Sequence, residues 1–236
     1  MIKPISTLLS LSALAISTLA LPATAANLDI KITNLTNGIY FTPLMIAAHN
    51  ANTHLFQAGD VASANVQAMA EGGVTSGLAM FAQSMGADVI EDAANGLLGP
   101  TTSATINLTN SGSNNFLSLT AMMLPTNDGF VGLDSLQIPT APGTYTYFLN
   151  AYDAGTEAND ELITGGGAIG VAGIPADPGA DAGNGGTGVS MIDNNTHIHI
   201  HRGTLGDTDL NGGISDLDSR IHRWLNPVAQ IQITIN

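Results

Sequence analysis

The chain has 236 residues, five basic against 19 acidic side chains, a formal net charge of −14 and no cysteine. Such a charge repels nucleic acid and anionic membranes and favours cations. Without cysteine, disulfide staples, thiol catalysis and thiolate metal sites are excluded, so stability rests on the core and on any bound ions.

Residues 1–25 open with a basic start at Lys3, continue in an apolar run over 5–21, and end in the small-residue pattern Pro22, Ala23, Thr24, Ala25. These are the marks of a secretory signal peptide cleaved after Ala25. The run is short for a membrane span and interrupted by Ser and Thr, and no later segment is apolar enough to cross a bilayer. The expectation is an exported protein, periplasmic, cell-surface or extracellular, with residues 26–236 forming one domain.

Residues 28–35 alternate apolar and polar, which predicts a strand. Residues 40–49 are short and mixed. Residues 62–95, rich in Ala, Met, Gln and Glu and broken by Gly72, Gly73 and Gly77, predict one or two short helices. Strands follow over 102–109, 116–123 and 145–152, and clean alternation predicts two more over 195–202 and 228–235. Residues 164–188, dominated by Gly, Ala, Pro and Asp, read as a long surface loop, either functional or mobile. Leu217, Ile221, Trp224 and Leu225 share one helical face ahead of Pro227, which predicts a short helix. Met80, Met85, Met122 and Met123 read as core filler. The sum is a mainly β fold, an antiparallel β-sandwich with a minor helical insertion and a short helix near the C-terminus.

Two carboxylate-rich segments lie at the ends of predicted strands, NDGFVG at 127–132 and YDAGTEANDE at 152–161. Hard cations take six to eight oxygens from such loops, and Asp128, Asp153 and Glu157 converge if both loops lie at one end of a sandwich. Asp and Asn also favour turns through local hydrogen bonding, and composition alone leaves both readings open.

These residues also carry a resemblance. LPTNDGFVGL at 124–133 and YDAGTE at 152–157, with LFQAGDVAS at 55–63, AEGG at 70–73 and WLNPVA at 224–229, resemble the spondin N-terminal domain family in its bacterial, cysteine-free branch. The resemblance implies a β-sandwich related to calcium-binding C2-like domains. It implies a calcium ion held by loops at one end, through Asp128, Asp153 and Glu157. The family usually has Asp at the position of Glu157. Animal relatives are extracellular matrix proteins involved in adhesion, which carry disulfides and further domains that this sequence lacks.

A second oxygen-rich loop spans 207–218. Counted from Asp207, oxygen side chains stand at positions 1, 3, 5, 9 and 12 (Asp207, Asp209, Asn211, Ser215, Asp218), with Gly212 at position 6 and Ile214 at position 8. This is the spacing of a twelve-residue EF-hand-type calcium loop, with Asp in place of Glu at position 12. The alternative is a Gly/Asp-rich turn that caps the predicted helix.

His197, His199 and His201 alternate along a predicted strand. Residues two apart on a strand are about 6.6 Å apart, and the outer pair about 13 Å, so three such histidines do not bind one ion together. A transition-metal site needs two of them and a ligand from elsewhere, such as His222, His49 or an Asp. The competing reading is a half-buried strand with Ile198 and Ile200 inward.

No G-x-S-x-G, H-E-x-x-H or phosphate loop occurs, and aromatics are 5% of the chain, so no catalytic class is supported. The leading expectation is an exported calcium-binding module with a binding or adhesion role toward an unidentified protein or glycan, and no enzymatic activity. The alternatives are a zinc- or copper-binding protein or metalloenzyme built on the histidines, and a structural envelope protein with merely solvated acidic loops.

Overall fold

In a computed structural model, residues 26–236 are described; the expected signal peptide lies outside them. They form strands β1 (Ala26–Asn34), β2 (Tyr40–Phe41), β3 (Met45–His49), β4 (Asp88–Ile90), β5 (Ser103–Asn110), β6 (Phe116–Leu124), β7 (Gly129–Gln137), β8 (Gly143–Asp153), β9 (His199–Ile200) and β10 (Ala229–Ile235). Helices α1 (Ala64–Gly72) and α2 (Ser76–Ser84) fall inside the predicted helical insertion. Among the described residues no helix is long and apolar enough to cross a membrane.

The fold is mainly antiparallel β, with the strands in one path, β4-β3-β6-β7-β8-β10-β1-β5; β2 pairs with β6 and β9 with β8. The path has two halves joined by one strand. Residues 143–149 of β8 pair with β10, while residues 150–153 pair with β7. The two halves of the expected sandwich are therefore continuous through a shared strand, as at a sandwich corner. The ends of the path also meet, because the Asp88 carboxylate accepts from Ser111 Oγ at 2.6 Å and from Asn114 Nδ2 at 2.9 Å just beyond β5. The sheet nearly closes into a barrel.

Alternation decides which face is inside. Leu28, Ile30 and Ile32 of β1, Ile106 and Leu108 of β5, and Ile231 and Ile233 of β10 fill the interior, while the intervening polar residues face outward. A second core lies outside the sheet, where α1 and α2 pack Val66, Met69, Leu78 and Ala82 against Met45, Ala47 and Phe130. β6 is the wall between the two cores. Leu117, Leu119, Ala121 and Met123 face the interior, while Thr120 faces α1, 3.3 Å from Met69 Sδ.

Several expectations change. Residues 217–225 form turns and no helix. Asp207 and Asp218 pair as a parallel bridge, and Leu217 N is capped by Ser215 Oγ at 3.0 Å. One turn closes, from His222 N to Asp218 O, and Leu225 is 86% exposed. Local pairing of Asp218 outweighs the helical spacing. The strand expected over 195–202 shortens to β9, since Ile198 N instead donates to Asp60 O and Gly59 N to Ile198 O. Ile198 is buried but Ile200 is half exposed. Met122 and Met123 are core, whereas Met80 and Met85 are 65% and 43% exposed on and just after α2.

Candidate functional site

β7 begins at Gly129, which pairs with Asp153 at the end of β8. That register sets Asp128 and Asp153 side by side at one end of the sheet, both fully or almost fully buried. Asp128 Oδ2 accepts from Thr156 N at 2.7 Å, Thr156 Oγ1 at 3.1 Å and Glu157 N at 3.1 Å. Asp128 Oδ1 is buried with no partner. Asp153 accepts from Gly155 N at 2.9 Å and Asn159 Nδ2 at 2.8 Å. Burial first, then the neighbouring charge of Asp153, pushes the Asp128 carboxyl up to about 7. The glycine of the DAGT stretch has a geometric reason. Gly155 has φ +69°, and a Cβ there would lie 2.7 Å from Thr196 C and 2.8 Å from His197 N.

The side chain of Glu157 leaves this pair, although its backbone N–H serves Asp128. Glu157 Oε2 accepts from Gly173 N at 3.1 Å and Asn127 Nδ2 at 3.4 Å, and Oε1 is buried without a partner. Burial raises its pKa to about 7, with further upward pressure from Glu71 and Asp160. The three residues named from the sequence thus divide into a carboxylate pair and a third carboxylate facing the Gly-rich loop.

Sequence reasoning missed the work most acidic groups do here. Glu71 accepts from Gly170 N at 2.7 Å. Glu161, buried, accepts from Leu205 N, Gly206 N and Ser215 Oγ within 2.8 Å. Asp216 accepts from Ile163 N and Gly186 N within 2.9 Å. Most of the backbone over 161–216 lies outside the sheet, and carboxylates satisfy several of the N–H groups that a ladder would otherwise pair. The density of Asp and Glu beside Gly was the available signal.

The loop at 207–218 is closed in the same way. Asp207 accepts from Asp209 N, Ile214 N and Ser215 N at 2.7–3.0 Å, and Asp209 from Asn211 N at 3.2 Å. Asp218 is ion-paired to Arg220 at 2.5 Å, which holds its pKa down at about 2. The carboxylate at position 12 thus already has its cation, in Arg220.

The three histidines occupy three environments. His197 is exposed. His199 Nδ1 donates to His197 O at 2.8 Å, since a carbonyl only accepts, and Nε2 lies 3.8 Å from Asp153 Oδ2. His201 is buried, with its ring centroid 5.0 Å from that of Trp224. Its Nδ1 accepts from Gly203 N at 3.0 Å, so the neutral ring carries its proton on Nε2, which has no partner. Burial pushes His201 down to about 4, so it is neutral at pH 7 and offers a donor, with no lone pair free for a metal.

Among the described residues, no group of three or more His, Asp or Glu side chains is arranged to hold one metal ion. A cation at the Asp128–Asp153 pair therefore completes its shell with main-chain, amide or water oxygens, as calcium readily does. The unpartnered Asp128 Oδ1 beside a second buried carboxylate fits such an ion. Of the comparisons with known proteins, a family model described as Spondin_N matches residues 33–161. No curated protein matched.

Proposed function

The chain belongs to the spondin N-terminal domain family, and from that premise we propose that it is an exported, non-catalytic binding module whose Asp128–Asp153 pair holds calcium. One observation carries the reading: two buried carboxylates stand together, Asp128 Oδ1 lacks any partner, and burial with the Asp153 charge holds Asp128 near pH 7. A divalent cation neutralises both groups and fixes the loops that begin at 124 and 153. The partner is a protein or glycan, engaged in an adhesion-type role at the cell envelope or in the matrix. The leader pattern at 1–25 supports export.

The test is a melting curve in chelator and in calcium. Extracellular calcium modules bind with dissociation constants of about 10⁻⁴–10⁻³ M. At one hundred times the dissociation constant the stabilisation is about 2.7 kcal/mol, or about 5–10 °C for a chain of this size. The rise should be larger at pH 8 than at pH 5.5, because at the lower pH calcium must displace the proton held by Asp128. Equal melting temperatures with and without calcium at pH 8 would overturn the proposal.

A second reading rests on His199, whose Nε2 faces the Asp153 carboxylate at 3.8 Å. There a transition-metal ion would bind through His199 and Asp153. Zinc affinity unchanged in His199→Ala would remove this reading.

A further inference from the structure

Away from the carboxylate pair, a cavity of about 230 Å³ opens between the segment 54–61, α1 and α2. Its apolar wall is made by Leu55, Phe56, Val66, Leu78 and Ile198, all buried, together with Phe81, which is 40% exposed. An apolar cavity of about 150 Å³ already takes benzene, whereas drug-sized ligands need about 300 Å³ or more. The space therefore suits one aromatic ring with a short arm.

The wall is rigid where it matters. The Phe56 ring meets Phe130 edge-on at 5.0 Å and Tyr152 at 5.1 Å. It is seated against Gly132, where an added Cβ would come within 2.5 Å of Phe56 Cζ. These contacts hold the Phe56 ring in the wall.

The rim carries polar side chains of both kinds, Gln57, Ser63 and Asn65 with His54, and one carboxylate, Asp60. The His54 Nδ1–H donates to the Asp134 carboxylate at 3.0 Å. Asp60 lines the same cavity. Its backbone is pinned by Asp60 N to Gln57 O at 3.2 Å and by Ile198 N to Asp60 O at 2.8 Å, while its exposed carboxylate has no hydrogen bond or ion pair among the described residues. No Lys or Arg lines the cavity. The net charge of −14 adds a field that gathers cations and turns anions away. An unpaired carboxylate beside an apolar, aromatic floor favours a ligand with a cationic end.

We propose that this cavity is a binding site for a small amphipathic organic cation, an arylalkylamine whose ring lies among Leu55, Phe56 and Leu78 and whose ammonium group meets Asp60. The site is separate from the Asp128–Asp153 pair, and its occupancy does not depend on calcium.

The test is calorimetric titration of the purified protein in chelator with 2-phenylethylamine, its neutral counterpart 2-phenylethanol and its anionic counterpart 3-phenylpropionate. The amine should bind about tenfold more tightly than the alcohol, the factor expected of one charge-assisted contact in a partly solvated site, and the carboxylate should not bind measurably. Asp60→Asn, at an exposed position where folding is not at stake, should bring amine and alcohol to equal affinity. Leu78→Trp should fill the cavity and abolish binding of both. Should that variant misfold, Phe81→Ala reads the same contact from a partly exposed position and should weaken both ligands alike. No amine binding to folded protein at millimolar concentration, equal affinity for amine and alcohol in the unmodified protein, or full retention of the amine preference in Asp60→Asn would each overturn the proposal.

Discussion

Asp128→Asn is expected to abolish the calcium-dependent rise in melting temperature while making the cation-free protein more stable at pH 8. An asparagine keeps one oxygen to accept from Thr156 N, Thr156 Oγ1 and Glu157 N, the three donors now served by Asp128 Oδ2. What it removes is a charge that repels Asp153 in a buried site. The sign follows from linkage. The folded-state pKa of Asp128 is raised from 3.8 to about 7, so the folded chain binds more protons than the unfolded chain between those values. Stability in chelator therefore falls as pH rises from about 4 through 7, by an amount on the order of 4 kcal/mol for this group. The Asn variant should lose that slope. Asp128→Ala should behave differently, because it strands three buried donors, and a loss of about 3–5 kcal/mol is expected with or without calcium. Denaturant titrations at pH 5, 6.5 and 8, in chelator and in calcium, separate these outcomes. A full calcium response retained by Asp128→Asn would place the ion elsewhere.

The second large effect is expected at Gly155. Replacement by alanine forces a side chain into a left-handed conformation, which costs about 1–2 kcal/mol. It also drives Cβ against Thr196 C, His197 N and Asn195 O at 2.7–2.9 Å. These are backbone atoms with no rotamer to yield, so overpacking adds about 1–3 kcal/mol. A fall in melting temperature of roughly 5–15 °C is expected. Gly59→Ala is the internal control. Its φ is +96° but nothing lies within 4 Å of the added carbon, so it pays for the backbone conformation alone. Equal losses at the two sites would mean that the close approach of 195–197 is not what requires glycine at 155.

The family resemblance and the outer strands were readable because their signals are local. β1, β5 and β10 each have one face in the interior and one in water, so alternation reports them directly. β7 was hidden. Its GFVGLDSLQ starts on a turn-like Asn-Asp-Gly and has no polar face in its first half, since Gly129 to Gly132 are covered on both sides. That Asp128 and Asp153 meet was expected only if their two loops lie at one end of the fold, and the Gly129–Asp153 register puts them there. The departure of Glu157 toward Gly173 did not, because a side chain three bonds long can turn either way and only the position of the Gly-rich loop decides. Residues 217–225 carry helical spacing, but the Asp207–Asp218 bridge and the Arg220 ion pair leave no trace in periodicity. The histidine alternation misled for a related reason. After Ile200 the chain turns inward, and His201 packs on Trp224 rather than continuing a face.

The position of β6 governs how the protein opens. Of its nine residues all but Phe116 are buried, since the barrel interior lies on one side and the α1–α2 layer on the other. Lifting the helices leaves its inner face packed, and loosening the interior leaves its outer face covered. Its amide protons should therefore exchange with deuterium only through global unfolding, at rates set by the full stability of the chain. The amides of α2, whose Met80 and Phe81 already face solvent, should exchange by a cheaper, local route. Two exchange classes separated by strand and helix, measured on the folded protein, would show that the inner wall and its outer cladding are thermodynamically distinct layers.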